Sequence, residues 1–269
     1  MQDKVVIITG ASSGIGEALA YAVAAEGAKV VITARNINNL QKIASVLSEK
    51  GTEVLTVQTD VSVEDDCRQL IEKTISRFRS IDVLINNAGI SMRAIFSELN
   101  LDVIRKLMDV NFWGTVYCTK FAMPYLLSSK GSVVGVISIA GHVGLPGRTA
   151  YSASKFAVRG FMDALRSENL KTGLHVMLVA PGFTASNIRN VALTSDGSPQ
   201  GESPRDEKKM MSAEAVANYI VKGIVKKQKN IVLTFKEGKL TVFLNKLFPS
   251  LVSRLAFDHM AKEPDSPFR

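Results

Sequence analysis

Lys4-Val5-Val6-Ile7-Ile8-Thr9-Gly10-Ala11-Ser12-Ser13-Gly14-Ile15-Gly16 stands near the start of the chain. The run Val5 to Ile8 is short, apolar and β-branched, the composition of a strand buried on both faces. Glycines at 10, 14 and 16 follow at once, and Ala18, Leu19, Ala22, Val23 and Ala25 then recur at helical spacing. A strand, a glycine turn and a helix N-terminus form a phosphate cradle. Glycine lets the backbone approach an anion, and unpaired N–H groups with the helix dipole attract it. The spacing is G-x-x-x-G-x-G rather than G-x-G-x-x-G. A glycine turn alone marks any tight turn; here both flanks agree.

Beyond this stretch, strand patterns at 4–9, 29–34, 53–58, 81–86, 131–138, 175–180 and 231–234 alternate with helical ones. The helical patterns lie at about 15–26, 38–50, 63–78, 101–127, 151–171 and 212–228. Such alternation predicts an α/β fold: one Rossmann-type, doubly wound parallel sheet of about seven strands with helices on both faces. Ligands in such sheets sit beyond the carboxyl ends of the strands.

The 269 residues are enough for one such domain with a large core. No repeat, low-complexity tract or proline-rich linker divides them. The first strand begins within about four residues, which leaves no room for a cleavable signal peptide. No uncharged apolar run reaches the roughly 18 residues of a spanning helix. Cys67 and Cys118 each fall in a helical pattern without metal-site spacing, so two buried, reduced thiols in a cytoplasmic protein are expected. His142, His175 and His259 are scattered and make no metal set; His142 reads as a satisfied loop histidine. The net charge of +8 and pI near 9.4 suit a polyanionic cofactor. No aromatic-basic interleaving points to nucleic acid.

A second signal is Tyr151-Ser152-Ala153-Ser154-Lys155, with Ser138 upstream. Positions four apart share a helix face, so Tyr151 and Lys155 project together. A phenol has an unperturbed pKa of about 10, and an adjacent ammonium favours the phenolate and lowers that value. Gly141, Gly144, Pro146 and Gly147 turn the chain between them and can bring Ser138 back beside Tyr151. A hydroxyl, a tunable phenol and a cation then meet at one oxygen, as proton exchange with a carbonyl or alcohol requires.

Thr9-Gly10 through Gly14-Ile15-Gly16, Asn86-Asn87-Ala88-Gly89, Asn111, Ser138, Tyr151-x-x-x-Lys155 and Pro181-Gly182 occur in one order. Together they make residues 3 to 235 resemble a short-chain dehydrogenase/reductase. The resemblance implies an NADP(H)-dependent enzyme with Asn111, Ser138, Tyr151 and Lys155 catalytic, Asn111 helping to hold a water that links Lys155 to solvent. It implies cofactor contacts from Gly10, Ser12, Ser13, Gly14, Ile15, Gly16, Asp60, Val61, Asn87, Ala88, Gly89, Val110, Tyr151, Lys155, Pro181, Gly182, Thr184 and Ser186. Asp60 on its own reads as a helix-start residue, with Ser62 and Asp65 signalling an N-terminal cap. The end of the second strand selects the cofactor. The family's acidic position falls on Ala34, and Arg35 follows with a fork suited to a 2′-phosphate. The alternative on the same fold is a non-catalytic NADP(H) sensor, which needs no proton donor.

Residues 1–235 are thus expected to form the dinucleotide-binding and catalytic domain, and 236–269 an amphipathic extension of it. Residues 187–211 are polar and turn-rich, and by resemblance form a lid over the substrate. In the extension, Leu240, Phe243, Leu244 and Leu247 make one apolar stripe, and Phe248, Leu251, Val252 and Leu255 make another. Pro249 starts the second helix. Lysines surround both. Packing over the pocket or at a subunit interface is preferred to peripheral membrane contact through 236–257. Either implies a hydrophobic carbonyl or alcohol substrate, and the resemblance implies a homodimer or homotetramer built on helices 101–127 and 151–171.

Overall fold

The computed structural model describes residues 1–207 and 210–268. Lys208 and Lys209, within the expected lid, and Arg269, at the end of the extension, lie outside the described residues. The first half of the chain runs β1 (Val5–Thr9), α1 (Gly14–Ala25), β2 (Lys29–Ala34), α2 (Ile37–Glu49), β3 (Val54–Gln58), α3 (Glu64–Phe78) and β4 (Val83–Asn86). The second half runs α4 (Leu101–Leu107), α5 (Gly114–Ser128), β5 (Ser132–Val136), α6 (Thr149–Glu168), β6 (His175–Ala180), α7 (Ala213–Val225), β7 (Asn230–Val232), α8 (Thr241–Leu247) and α9 (Pro249–Ala261).

The strands form one parallel sheet of seven in the order β3-β2-β1-β4-β5-β6-β7. Alternation along each strand feeds two cores. Val6, Ile8, Val30, Ile32, Ile85, Val134 and Val179 pack with α1, α2 and α7 on one face. Val5, Ile7, Val31, Leu84, Val133 and Leu178 pack with α3, α5 and α6 on the other. Burial of both faces explains why these strands read as continuous apolar runs; each fully buried Ile or Leu contributes about 1.5–3 kcal/mol. The winding reverses between β1 and β4, which opens a crevice at their carboxyl ends.

Three features differ from the expected pattern. The helix expected over 101–127 contains a widened π turn at Met108–Trp113 between α4 and α5. Such turns occur mostly as single i→i+5 turns inside α-helices, which a coarse helical pattern does not separate from the helix around them. The cap expected from Ser62 is absent: Val63 is the N-cap residue of α3, and Asp60 Oδ1 instead accepts from the Ser62 amide and hydroxyl. The extension does form two helices with Pro249 starting the second. Its stripes, however, pack on the core little: Val252 and Met260 are buried, while Phe243, Leu247, Leu251 and Leu255 are exposed. No helix among the described residues is long and apolar enough to cross a membrane.

Candidate active site

The glycine cradle is built by backbone crowding. Gly10 and Gly14 have φ of +65° and +58°, the left-handed region that glycine enters without strain. A Cβ on Gly16 would stand 2.2 Å from the Gly10 carbonyl oxygen, so α1 can approach β1 this closely only with glycine there. Ser13, the N-cap residue, makes no side-chain capping bond, which leaves the first-turn N–H groups facing the crevice. Thr9 Oγ1 accepts from the amides of Asn87 and Ala88 at 3.0 Å each, and Asn87 Nδ2 donates to the Thr9 carbonyl at 2.9 Å. The loops after β1 and β4 therefore move as one wall.

Every expected cofactor residue lines a single cleft of about 430 Å³. Ser12, Ser13, Arg35, Asp60 and Val61 line it together with Ser138, Tyr151, Lys155, Pro181, Gly182, Thr184 and Ser186, and a Cβ on Gly14 would stand 3.2 Å from Ser186 Cβ. A glycine-lined cradle continuous with a long groove that Arg35 and Asp60 also line fits a dinucleotide. Arg35 is exposed at the cleft edge. Its guanidinium makes no hydrogen bond or ion pair among the described residues.

Ser138 lies two residues past β5, and a tight turn at Ile139–Gly141 folds the chain back. A Cβ on Gly141 would meet the Lys155 carbonyl oxygen at 3.0 Å, so that turn presses on the backbone of α6. Leu145 N donates to Ser152 Oγ at 3.1 Å and pins the following loop. These contacts bring Ser138 and Tyr151 into the lining of one cleft. Lys155 stands beside the same ring, its Nζ 5.8 Å from the ring centroid, and donates to the Val136 carbonyl at 3.0 Å.

The electrostatics differ from expectation. Burial raises the Tyr151 phenol above its ordinary pKa; the Ser138 hydrogen bond, then Arg148 and Arg189, pull it down without reversing the shift. Lys155 was the expected source of that pull. Burial instead lowers its own ammonium to about 8, which weakens it as a fixed positive charge.

Asn111 does not line the cleft. It sits behind it in the π turn, 1% exposed. Its Oδ1 accepts from Ile90 N at 2.8 Å, while Nδ2 donates to Ile90 O at 3.0 Å and to Ser154 Oγ at 2.9 Å. Both N–H donors are used, so Asn111 ties the loop after β4 to α6. A Cβ on Gly89 would stand 3.2 Å from both Asn111 Oδ1 and Lys155 Nζ, so a side chain there would push on both groups.

The segment 187–207 lies over the substrate end. Leu193 N donates to Ser91 O and Arg93 N to Leu193 O, at 2.9 and 2.7 Å. Asn187, Ile188, Arg189 and Val191 face the cleft. Arg189 Nη2 donates to the Thr184 carbonyl at 2.7 Å, so that backbone group is engaged within the protein. His142 is absent from the lining; burial lowers it to about 4, and its carbonyl accepts from Asn245 of α8. Cys67 and Cys118 are buried and free with sulfurs 3.5 Å apart, and no metal-ligating cluster occurs among the described residues.

Sequence reasoning missed Arg148, Arg189, Arg205, Met260 and Glu263, all of which line the cleft. Arg148 could have been found from its place three residues before Tyr151. Arg189, Arg205 and Glu263 stand on loops, where no periodicity reports direction, and Met260 lies in α9 beyond the apolar stripe read from the sequence.

A family model described as short chain dehydrogenase matches residues 4–196. The chain is 34% identical over 271 residues to dehydrogenase/reductase SDR family member 7B of Mus musculus, which covers 99% of this chain and 84% of that protein. It is 39% identical over 240 residues to 11-beta-hydroxysteroid dehydrogenase 1A of Arabidopsis thaliana, covering 85% and 67% respectively. Among solved structures, a short chain dehydrogenase/reductase from Burkholderia phymatum in complex with NAD aligns with a TM-score of 0.82 at 25% identity, over 93% of this chain and 95% of that one. An alcohol dehydrogenase from Thermococcus sibiricus complexed with 5-hydroxy-NADP aligns with a TM-score of 0.74 at 26% identity, over 86% and 94%.

Proposed function

The chain belongs to the short-chain dehydrogenase/reductase family of oxidoreductases, and from that membership we propose that it interconverts a carbonyl and a secondary alcohol using NADP(H). The observation that carries this reading is that Ser138, Tyr151 and Lys155 line the same cleft as the glycine cradle. Residues 1–235 supply the cofactor and catalytic groups, and 236–269 extend the same domain over the substrate end. The cofactor, when bound, supplies or accepts the hydride.

The protein's own groups handle binding and the proton. The cradle at 10–16 takes the pyrophosphate, with Asp60 and Val61 beside the adenine. Asn87, Ala88, Gly89 and Val110 line the middle, and Pro181, Gly182, Thr184 and Ser186 meet the nicotinamide end. Ser138 holds the substrate oxygen and offsets charge that develops on it. Tyr151 gives that oxygen its proton during reduction and takes it back during oxidation. Lys155 holds the nicotinamide ribose beside the phenol, and Asn111 positions α6 through Ser154. Ile90, Leu145, Ile188 and Val191 line the cleft and suit a substrate with an apolar body.

NADPH oxidation over a panel of aldehydes, ketones and steroids tests this reading. Turnover is expected; tight NADPH binding with no turnover on any of them would leave a cofactor sensor instead. Arg35→Asp tests the cofactor. It removes a charge-assisted contact to the 2′-phosphate and adds repulsion. The ratio of kcat/KM values for NADPH over NADH is expected to fall about a hundredfold. An unchanged ratio would take Arg35 out of the recognition.

We also propose a homodimer or homotetramer through α4–α5 and α6. Leu101, Trp113, Tyr125 and Phe156 are exposed there, with Trp113 stacked on Tyr117 at 5.5 Å. Light scattering is expected to give two or four times the 29.2 kDa chain mass, and Trp113→Glu to lower it toward one. A monomeric parent would reject the assembly.

A further inference from the structure

Four guanidinium groups marked by no motif gather where the substrate would lie. Arg148 is the N-cap residue of α6, three positions before Tyr151. Arg93 follows the loop after β4, and Arg189 and Arg205 come from the segment over the cleft. Arg93, Arg148 and Arg205 converge on one carboxylate, that of Glu263 beyond α9. Arg93 Nε and Arg148 Nη2 lie 3.4 and 3.3 Å from Glu263 Oε2, and Arg205 Nε lies 2.8 Å from Oε1. Arg189 pairs with Glu207 at 2.8 Å. In these contacts two carboxylates face four guanidiniums.

The cluster is poor in water. The Arg93 and Glu263 side chains are 8% and 5% exposed, and Arg93 Nε makes no hydrogen bond. Burial lowers Arg148 to about 10, and the neighbouring Arg93 and Arg205 add to the fall against the pull of Glu263. Surplus buried charge is costly unless a counter-ion arrives. Arg148, Arg205 and Glu263 line the same cleft as Tyr151. Glu263 itself lies past the last helix, its amide bonded only to Met260 O of the preceding turn. A tail carboxylate in this position is chemically what an incoming anion would be.

We propose that Arg148 and Arg205, backed by Arg93, receive an anionic group, carboxylate or phosphate, carried by the carbonyl substrate, and that Glu263 holds this receptor until the substrate displaces it. Planar guanidinium forks match both oxyanions through paired hydrogen bonds. The proposal rests on the hydride-transfer reading and deepens it: the substrate is an acidic carbonyl compound whose apolar body lies along Leu145 and Ile188. Exchanging the Glu263 carboxylate for an incoming anion returns at least one negative charge to the arginines as the tail leaves.

Calorimetric titration of the NADP⁺-loaded protein with decanoate, decyl phosphate and decanamide tests this. At least one anion is expected to bind about tenfold or more tightly than the amide, and the better of the two names the group. Arg148→Gln with Arg205→Gln should erase the difference while NADP⁺ affinity is retained. Glu263→Gln, which removes the internal competitor, should tighten anion binding about fivefold or more and leave the amide as it was. If the double variant does not hold NADP⁺, Glu263→Gln alone decides. Equal binding of anion and amide, no binding of any probe, a preference that survives the arginine changes, or weaker anion binding in Glu263→Gln overturns the proposal. Hydride transfer is judged apart by NADPH oxidation. Anion preference with no turnover on any carbonyl rejects that reading and keeps the receptor; turnover with no anion preference does the reverse.

Discussion

Tyr151→Phe is expected to lower kcat for carbonyl reduction about a thousandfold while the Kd for NADPH changes by less than about twofold. Positioned proton donors contribute roughly 10²–10⁴ in rate, and the substitution removes one hydroxyl from a partly buried ring without altering its packing. The substitution leaves the glycine turn at Gly10–Gly16 untouched. The direction of the phenol's shift adds a pH dependence. Burial raises its pKa, so the protonated form dominates through neutral pH. That form donates, and reduction should be level there. Oxidation needs the phenolate, so its rate should climb as pH rises toward the alkaline range. A Phe variant within tenfold of the parent, or oxidation that falls as pH rises, would show that another group carries the proton.

Lys155→Met is expected to stop turnover and yet make the cofactor-free protein more stable at pH 7. The Lys155 ammonium is buried, and burial takes it from 10.5 to about 8. Each unit corresponds to about 1.4 kcal/mol, so holding the charge in place costs roughly 3 kcal/mol. The unfolded chain binds this proton more readily between about pH 8 and 10.5, so stability rises with pH across that window and the cost is full below it. Methionine fills a similar volume without charge but leaves the Val136 carbonyl without its donor, at about 1 kcal/mol. A net gain of about 1–2 kcal/mol would raise Tm by a few degrees. Scanning calorimetry at pH 7 and again near pH 10 checks both sign and window, because the gap should close at the higher pH. A variant less stable than the parent at pH 7 would mean that the ammonium is favourably held. Loss of activity with gain of stability is the signature of a charge kept for chemistry rather than for folding.

The strands and the cofactor cradle were legible in the sequence because their physics is local. Val5–Ile8 is apolar in every position since both faces are covered, and Gly10, Gly14 and Gly16 are glycines since backbone approaches backbone there. Tyr151 and Lys155 were legible because a helix imposes their shared face. Asn111 was expected to help hold a water beside Lys155; its side chain bonds Ile90 and Ser154. That outcome depends on where a distant loop runs. The apolar stripes of the extension were legible as helices but not as surfaces, since periodicity gives a face and not what covers it.

Spacing and residue type alone determined the parallel sheet, the glycine cradle, the serine–tyrosine–lysine set and the exposed arginine at the second strand's end. Those properties follow from short-range sterics and hydrogen bonding, which read the same in sequence and structure. Only the tertiary structure decided the charge around Tyr151 and Lys155. It brought Arg93, Arg148 and Arg205, more than a hundred residues apart at the extremes, onto the carboxylate of Glu263. It also buried Tyr151 and Lys155 deeply enough to move both from their ordinary pKa values. Electrostatic environment depends on burial and on all charges within reach, whatever their separation along the chain.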